Sequence, residues 1–330
     1  MSVAAMPDIS SPLAPAATDI TYAANAAAAT AATPQWRAQL KLEFTPVAGR
    51  TALTSYEQEG PLRVQQLFYP TALQPSAAVS ATALNTVAEA HCYVLHPPGG
   101  MVGGDALYQH MRAAKGAQVV VTTPAAGKFY RSNSTQIQQV TFSVAENSAL
   151  MYLPQETIFF ASCQARLHQE VEVAPTAIFM GADICCFGRV GRGEDFSTGW
   201  VQSTLRLSRQ GQPLLSEILR VGKGFNPQAW TTLHGASCHG MLYVVPTVEQ
   251  ESLMAELTPK LQELRLPESR GGAGADRSCL YGCTYRRGVL TVRYLGDRVE
   301  QARALLQEAL TLIYPALLGR PWQAPRIWQT

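Results

Sequence analysis

Between residues 36 and 44 apolar and polar side chains alternate without a break: Trp36, Ala38, Leu40, Leu42 and Phe44 against Arg37, Gln39, Lys41 and Glu43. A period of two gives a strand one apolar face and gives a helix none. Strand-length runs of the same kind recur at 51–56, 62–68, 92–95, 119–123, 138–144, 150–153, 166–173, 203–207, 215–221, 241–245 and 289–295. Turn residues separate several of them, as in Arg209-Gln210-Gly211-Gln212-Pro213 and Arg286-Arg287-Gly288, where glycine supplies the backbone freedom a hairpin needs. Such a chain has to fold mainly as β-sheet.

Two helices are expected, both late. Thr247 and Gln250 have capping-box spacing ahead of Leu253, Met254 and Leu257, with Pro259 set to end or bend the helix. Val299, Ala302, Leu306, Ala309, Leu310, Ile313 and Leu317 share one helical face, and Gly319 follows as a stop. Residues 1–34 are rich in Ala, Pro and Ser and read as a disordered tail that buries too little to offset ordering entropy. An Ala/Ser/Thr-rich insert at 71–90 and a glycine-bearing loop at 267–278 read as surface segments. Nothing else splits the chain, so residues 35–330 are expected to form a single β-rich domain with about two α-helices, one of them C-terminal.

Composition narrows the class. The chain has 47% apolar and 15% charged residues and a formal net charge of +2, which suits a globular protein and points to neither nucleic acid nor an anionic membrane. Seven cysteines, an odd number spread from Cys92 to Cys283, suit a reducing compartment, and a cytoplasmic location is expected. The tail has neither the basic start nor the apolar run of a signal peptide.

The densest motif is His96-Pro97-Pro98-Gly99-Gly100-Met101-Val102-Gly103-Gly104-Asp105. Its prolines fix φ, its glycines admit positive φ or close backbone approach, and Asp105 is placed to accept backbone N–H groups. The lysine and hydroxyl of a phosphate-binding P-loop are missing after Gly104, and the spacing is wrong for a dinucleotide fingerprint. The set is therefore read as a structural turn, with a ligand loop as the other reading. His91-Cys92 with His96, Cys185-Cys186, His234 with Cys238 and His239, and Cys279 with Cys283 are soft-metal residue types, each too incomplete to define a closed site. Glu156 and Asp183 stand in apolar runs, so each needs either a cationic partner or a wet cavity. No catalytic serine elbow or His-Glu-x-x-His set is present. A metal- or phosphate-binding enzyme of unrecognised class stays open as the alternative.

Several motifs in order resemble one family. They are Gly60-Pro61-Leu62-Arg63-Val64-Gln65, the His96 to Asp105 stretch, Thr122-Thr123-Pro124 with Lys128-Phe129-Tyr130-Arg131-Ser132, Leu153-Pro154-Gln155-Glu156-Thr157-Ile158, Phe187-Gly188-Arg189 with Gly193-Glu194, and Arg293-Tyr294-Leu295-Gly296-Asp297. Together they are similar to the urease accessory protein UreD (UreH) family over residues 36–328. The resemblance implies a β-helix-like fold and a non-enzymatic role in assembling the nickel centre of urease. It also implies three partners: the urease apoprotein, UreF and, through UreF, the GTPase UreG. Nickel would pass transiently through an internal polar channel, with no tightly bound cofactor. Glu156 and Asp183 are the candidate carboxylates of that path, since oxygen donors release a divalent ion that a thiolate cage would hold.

Overall fold

A computed structural model describes residues 36–70, 87–264 and 279–329. The expected tail, most of the 71–90 insert and all of the 267–278 loop lie outside them. The first alternating run forms β1 (Trp36–Val47), in which Ala38, Leu40, Leu42 and Phe44 are buried. Trp36, at its start, stays 45% exposed, so the apolar face begins one step later than the alternation predicts.

Strands β2 (Arg50–Glu59) and β3 (Arg63–Phe68) lead into a repeating pattern. β4 (Ala90–Leu95), β6 (Gln118–Thr122), β9 (Ala149–Tyr152) and β12 (Ile178–Phe187) lie parallel in one sheet. β5 (Asp105–Ala113), β8 (Gln136–Val144), β11 (Gln164–Val173) and β13 (Trp200–Arg209) lie parallel in a second, with β1 beside β5. The chain thus alternates between two facing sheets, one strand to each per turn, as in a β-helix. The remaining short strands, β7 (Gly127–Phe129) and β10 (Thr157–Phe159), pair with each other and with the end of β12 on a third side.

Antiparallel strands close the coil. β14 (Gln212–Gly222) and β2 edge the second sheet, while β15 (Cys238–Val245), β17 (Val289–Gly296) and β16 (Leu280–Arg286) extend the first. Both expected hairpin turns are present, with positive φ at Gln210 and Gly211 and at Arg287 and Gly288. That is the twist-compatible form for a two-residue connection.

Inward side chains of both sheets make one core. The outer face of the first sheet makes a second core under α1 (Glu251–Gln262) and α2 (Val299–Leu318). α2 buries the predicted face and ends at Gly319 in the left-handed region, as read from the sequence. α1 differs in detail. Thr247 bonds the side chain of Gln250 at 3.1 Å instead of capping backbone, and Gln250 Nε2 donates to the Leu317 carbonyl of α2 at 2.8 Å. The helix runs past Pro259 and ends at Gln262. No described helix is long and apolar enough to cross a membrane.

Candidate functional site

The motifs that stood apart in sequence are stacked on the third side of the coil. Met101 bridges Phe129, the segment 127–129 pairs with 157–159, and 157–159 pairs with 185–187. Met101, Phe129, Phe159 and Phe187, spaced 28, 30 and 28 residues apart, therefore occupy equivalent rungs. The rings of Phe129 and Phe159 lie 5.1 Å apart and those of Phe159 and Phe187 5.4 Å apart. This buried ladder holds the turns in register.

The glycine-rich stretch is the first of these turns. Gly99 N–H donates to the His96 carbonyl at 2.9 Å, and Met101 N–H to the Lys128 carbonyl at 2.8 Å. Asp105 is buried and accepts the Val102 N–H at 2.8 Å, as its turn position predicts. Gly99 and Gly104 have positive φ, while Gly100 and Gly103 do not. At Gly100 the constraint is space, because a Cβ would sit 2.4 Å from the Tyr130 ring. His96 turns inward with no partner for Nε2, and burial lowers its pKa despite the opposing charge of Asp105. The exposed Pro97 and Pro98 hold the corner.

Behind this turn lies a cavity of about 220 Å³ bounded by His96, Gly99 and Gly100 on the corner, Gln109 and Gln138 on the second sheet, and Tyr152, Asp183 and Cys185 on the first. That space exceeds several water volumes at roughly 30 Å³ each. Asp183 is half-buried and lines the cavity wall. Burial raises its carboxyl from 3.8 to about 6, against the hydrogen bonds of Gln169 and Tyr243. Gln169 Nε2 donates to both its oxygens at 2.7 and 2.8 Å, and the Tyr243 hydroxyl donates to Gln169 Oε1. Gly181 makes that geometry possible, since a Cβ there would lie 2.3 Å from the Tyr243 ring. The result is a polar cluster of neutral donors around one carboxylate.

Glu156 is placed differently. Along this part of the coil Thr157 and Phe159 face the interior, and Glu156 turns out toward α2, where it forms an ion pair with Arg303. The two candidate carboxylates therefore lie on opposite faces of the first sheet. Nor do the soft-metal sets close. Cys185 points inward while Cys186 points toward α2, where its sulfur is 4.0 Å from that of Cys238. His234 stacks on Trp230 with ring centroids 3.4 Å apart. His91 pairs with Glu89 at 3.2 Å, and none of the seven cysteines is in a disulfide. Among the described residues no group of three or more His, Cys, Asp or Glu could hold a metal.

Sequence reading missed Gln169, Tyr243 and the buried Glu89 with its partners Tyr314 and Arg320. A signal existed for Gln169. It interrupts the inward series Leu167, Val171, Val173 on β11, and a polar residue on an apolar face has to find a partner.

The UreD urease accessory protein family model matches residues 37–329. A urease accessory protein UreD of Dechloromonas aromatica is 36% identical over 308 residues, covering 90% of this chain and 96% of that protein. Its counterpart in a Janthinobacterium species is 37% identical, covering 89% and 92%. One from Methylobacillus flagellatus is 33% identical, covering 90% and 95%. The matched region begins in the first strand and takes in the stacked turns, the cavity and the closing helix, so the chain belongs to the UreD family of urease accessory proteins.

Proposed function

We propose that this chain is a non-catalytic scaffold of urease maturation. It binds the urease apoprotein and UreF in the cytoplasm, recruits the GTPase UreG through UreF, and passes nickel through its interior toward the urease active site. The observation carrying this reading is Asp183, a carboxylate on the cavity wall whose hydrogen-bond partner is a neutral amide and which has no ion-pair partner among the described residues. A buried charge without a counter-charge is costly unless the site serves a cation in transit. Oxygen donors with an occasional imidazole bind a divalent ion and let it go.

The test is co-expression of Asp183→Asn with the urease operon. The expected result is normal co-purification with UreF and less nickel per urease active site. Full nickel loading would remove Asp183 from the path. Purified chain without UreG should hydrolyse no GTP, because no lysine and hydroxyl follow Gly104 to hold phosphates. Turnover by the isolated chain would overturn the scaffold reading.

A further inference from the structure

Asp183 stands on the inner face of β12, and the next inward residue is Cys185, which also lines the cavity. Two residues along a strand is about 7 Å. Directly opposite Cys185 on β15 is His239, and cross-strand partners point the same way with Cβ atoms roughly 5 Å apart. His239 is half-buried, and its Nδ1 is buried with no hydrogen-bond partner among the described residues. A buried polar atom left without a partner is costly. Beyond His239 the charges acting on it are Glu217 and Arg293. These two pair at 2.6 Å between β14 and β17, with side chains 31% and 37% exposed. Polar groups thus continue from the cavity wall at Asp183 and Cys185 through His239 to the Glu217–Arg293 pair between the two sheets.

We propose that His239, with Cys185 beside it, is a relay point for a borderline divalent cation, carrying nickel on from Asp183 toward Glu217 beyond the cavity. This rests on the interior-passage reading above. The chemistry fits the cargo, since imidazole nitrogen suits nickel and a neutral thiol alongside adds a weak second donor. Two donors make a stop that an ion can leave. The unpartnered Nδ1 gains a ligand only while the ion is there, so the relay needs no rearrangement of the strands.

The test uses the full chain co-expressed with the urease operon at limiting nickel, measuring nickel per urease active site, melting temperature and co-purification with UreF. His239→Gln has no polar atom in the position of Nδ1, and His239→Asn has one. The proposal expects His239→Gln to lower nickel loading at least threefold with melting unchanged, and His239→Asn to restore much of it. Excess nickel should narrow the gap. If Asp183→Asn lowers loading and His239→Gln does not, the His239 relay is overturned while interior passage stands. If neither lowers it, interior passage itself fails. Equal losses in the Gln and Asn variants, tracking a lower melting temperature, would assign His239 to the fold and overturn the relay.

Discussion

Gln169 Nε2 donates to both carboxylate oxygens of Asp183, at 2.7 and 2.8 Å, and no cation figures among the groups acting on that carboxylate. An amide compensates only part of what burial costs an anion, so Asp183 is held in its charged form at the expense of the fold.

Removing the charge should stabilise the protein. Burial raises the Asp183 carboxyl from 3.8 to about 6, so the native state binds the extra proton. Its contribution is intact below the unfolded value and lost as pH rises through about 6. Asp183→Asn should therefore gain stability at pH 8, up to roughly 3 kcal/mol, with the gain shrinking toward pH 5. Urea unfolding at the two pH values measures it. A stabler protein that loads less nickel separates a functional carboxylate from a structural one, and lower stability at pH 8 would contradict the pKa argument.

Much of this architecture was legible as strands, because alternation and turn chemistry mark any strand with one wet face. β12 escaped for the opposite reason. Its sequence, Ile-Phe-Met-Gly-Ala-Asp-Ile-Cys-Cys-Phe, faces one core inward and another under α2, so no alternation survives, and Gly181 and Asp183 interrupt the continuous apolar run that marks β6 and β9. β5 was hidden by Gln109, an inward polar residue that reads as surface until the cavity it lines is known. The site itself is a product of the coil. Asp183, Gln169 and His96 meet only because strands of separate turns stack, and a single sequence carries no record of that register.

Glu156 and Arg303 should behave as an asymmetric structural pair. Side-chain exposure is 12% for Glu156 and 40% for Arg303, so water can solvate the arginine but hardly the glutamate. Arg303→Met should cost about 1–2 kcal/mol, less than the loss of a fully buried partner, and Glu156→Gln should cost less again. Thermal melting of the two variants gives the order. A larger cost for Glu156→Gln would overturn this asymmetry, and nickel loading lost at unchanged stability would move Glu156 from the α2 contact to the ion path.

The four glycines of the corner should not be equivalent. Gly104 has φ +79°, so Gly104→Val should cost about 1–3 kcal/mol through backbone strain. Gly100→Ala should also destabilise, because its Cβ would meet the Tyr130 ring at 2.4 Å. At Gly103 the nearest atom to a new Cβ is Ser132 Oγ at 3.3 Å, and Gly103→Ala should be the mildest of the three. Soluble yield and melting temperature report the ranking. If Gly103→Ala proved the most damaging, the steric ranking would fail, and normal melting with urease activation selectively lost would show that the corner is a contact surface.

The acid limit of stability should be set at the opposite end of α2. Glu89 is 1% exposed and accepts from Tyr314 at 2.6 Å and Arg320 at 2.7 Å, with His91 at 3.2 Å on its other oxygen. Burial alone would push this carboxyl up, but His91, Arg320 and Tyr314 together hold it below its ordinary 4.5. A depressed carboxylate stabilises the fold above its unfolded pKa, and that stability is lost as pH falls through the lower native value. Arg320→Met strands a buried anion and should cost about 3–5 kcal/mol near neutral pH, with much of the difference vanishing once Glu89 is protonated. Tyr314→Phe removes one donor and should cost about 1–3 kcal/mol. Acid titrations of the parent and the two variants, followed by circular dichroism, give the curves to compare. Because this cluster ties α2 to β4 on the outer face of the first sheet, both variants should reduce nickel loading only in proportion to the folded protein that remains. A loss at constant folded protein would place Glu89 on the ion path instead.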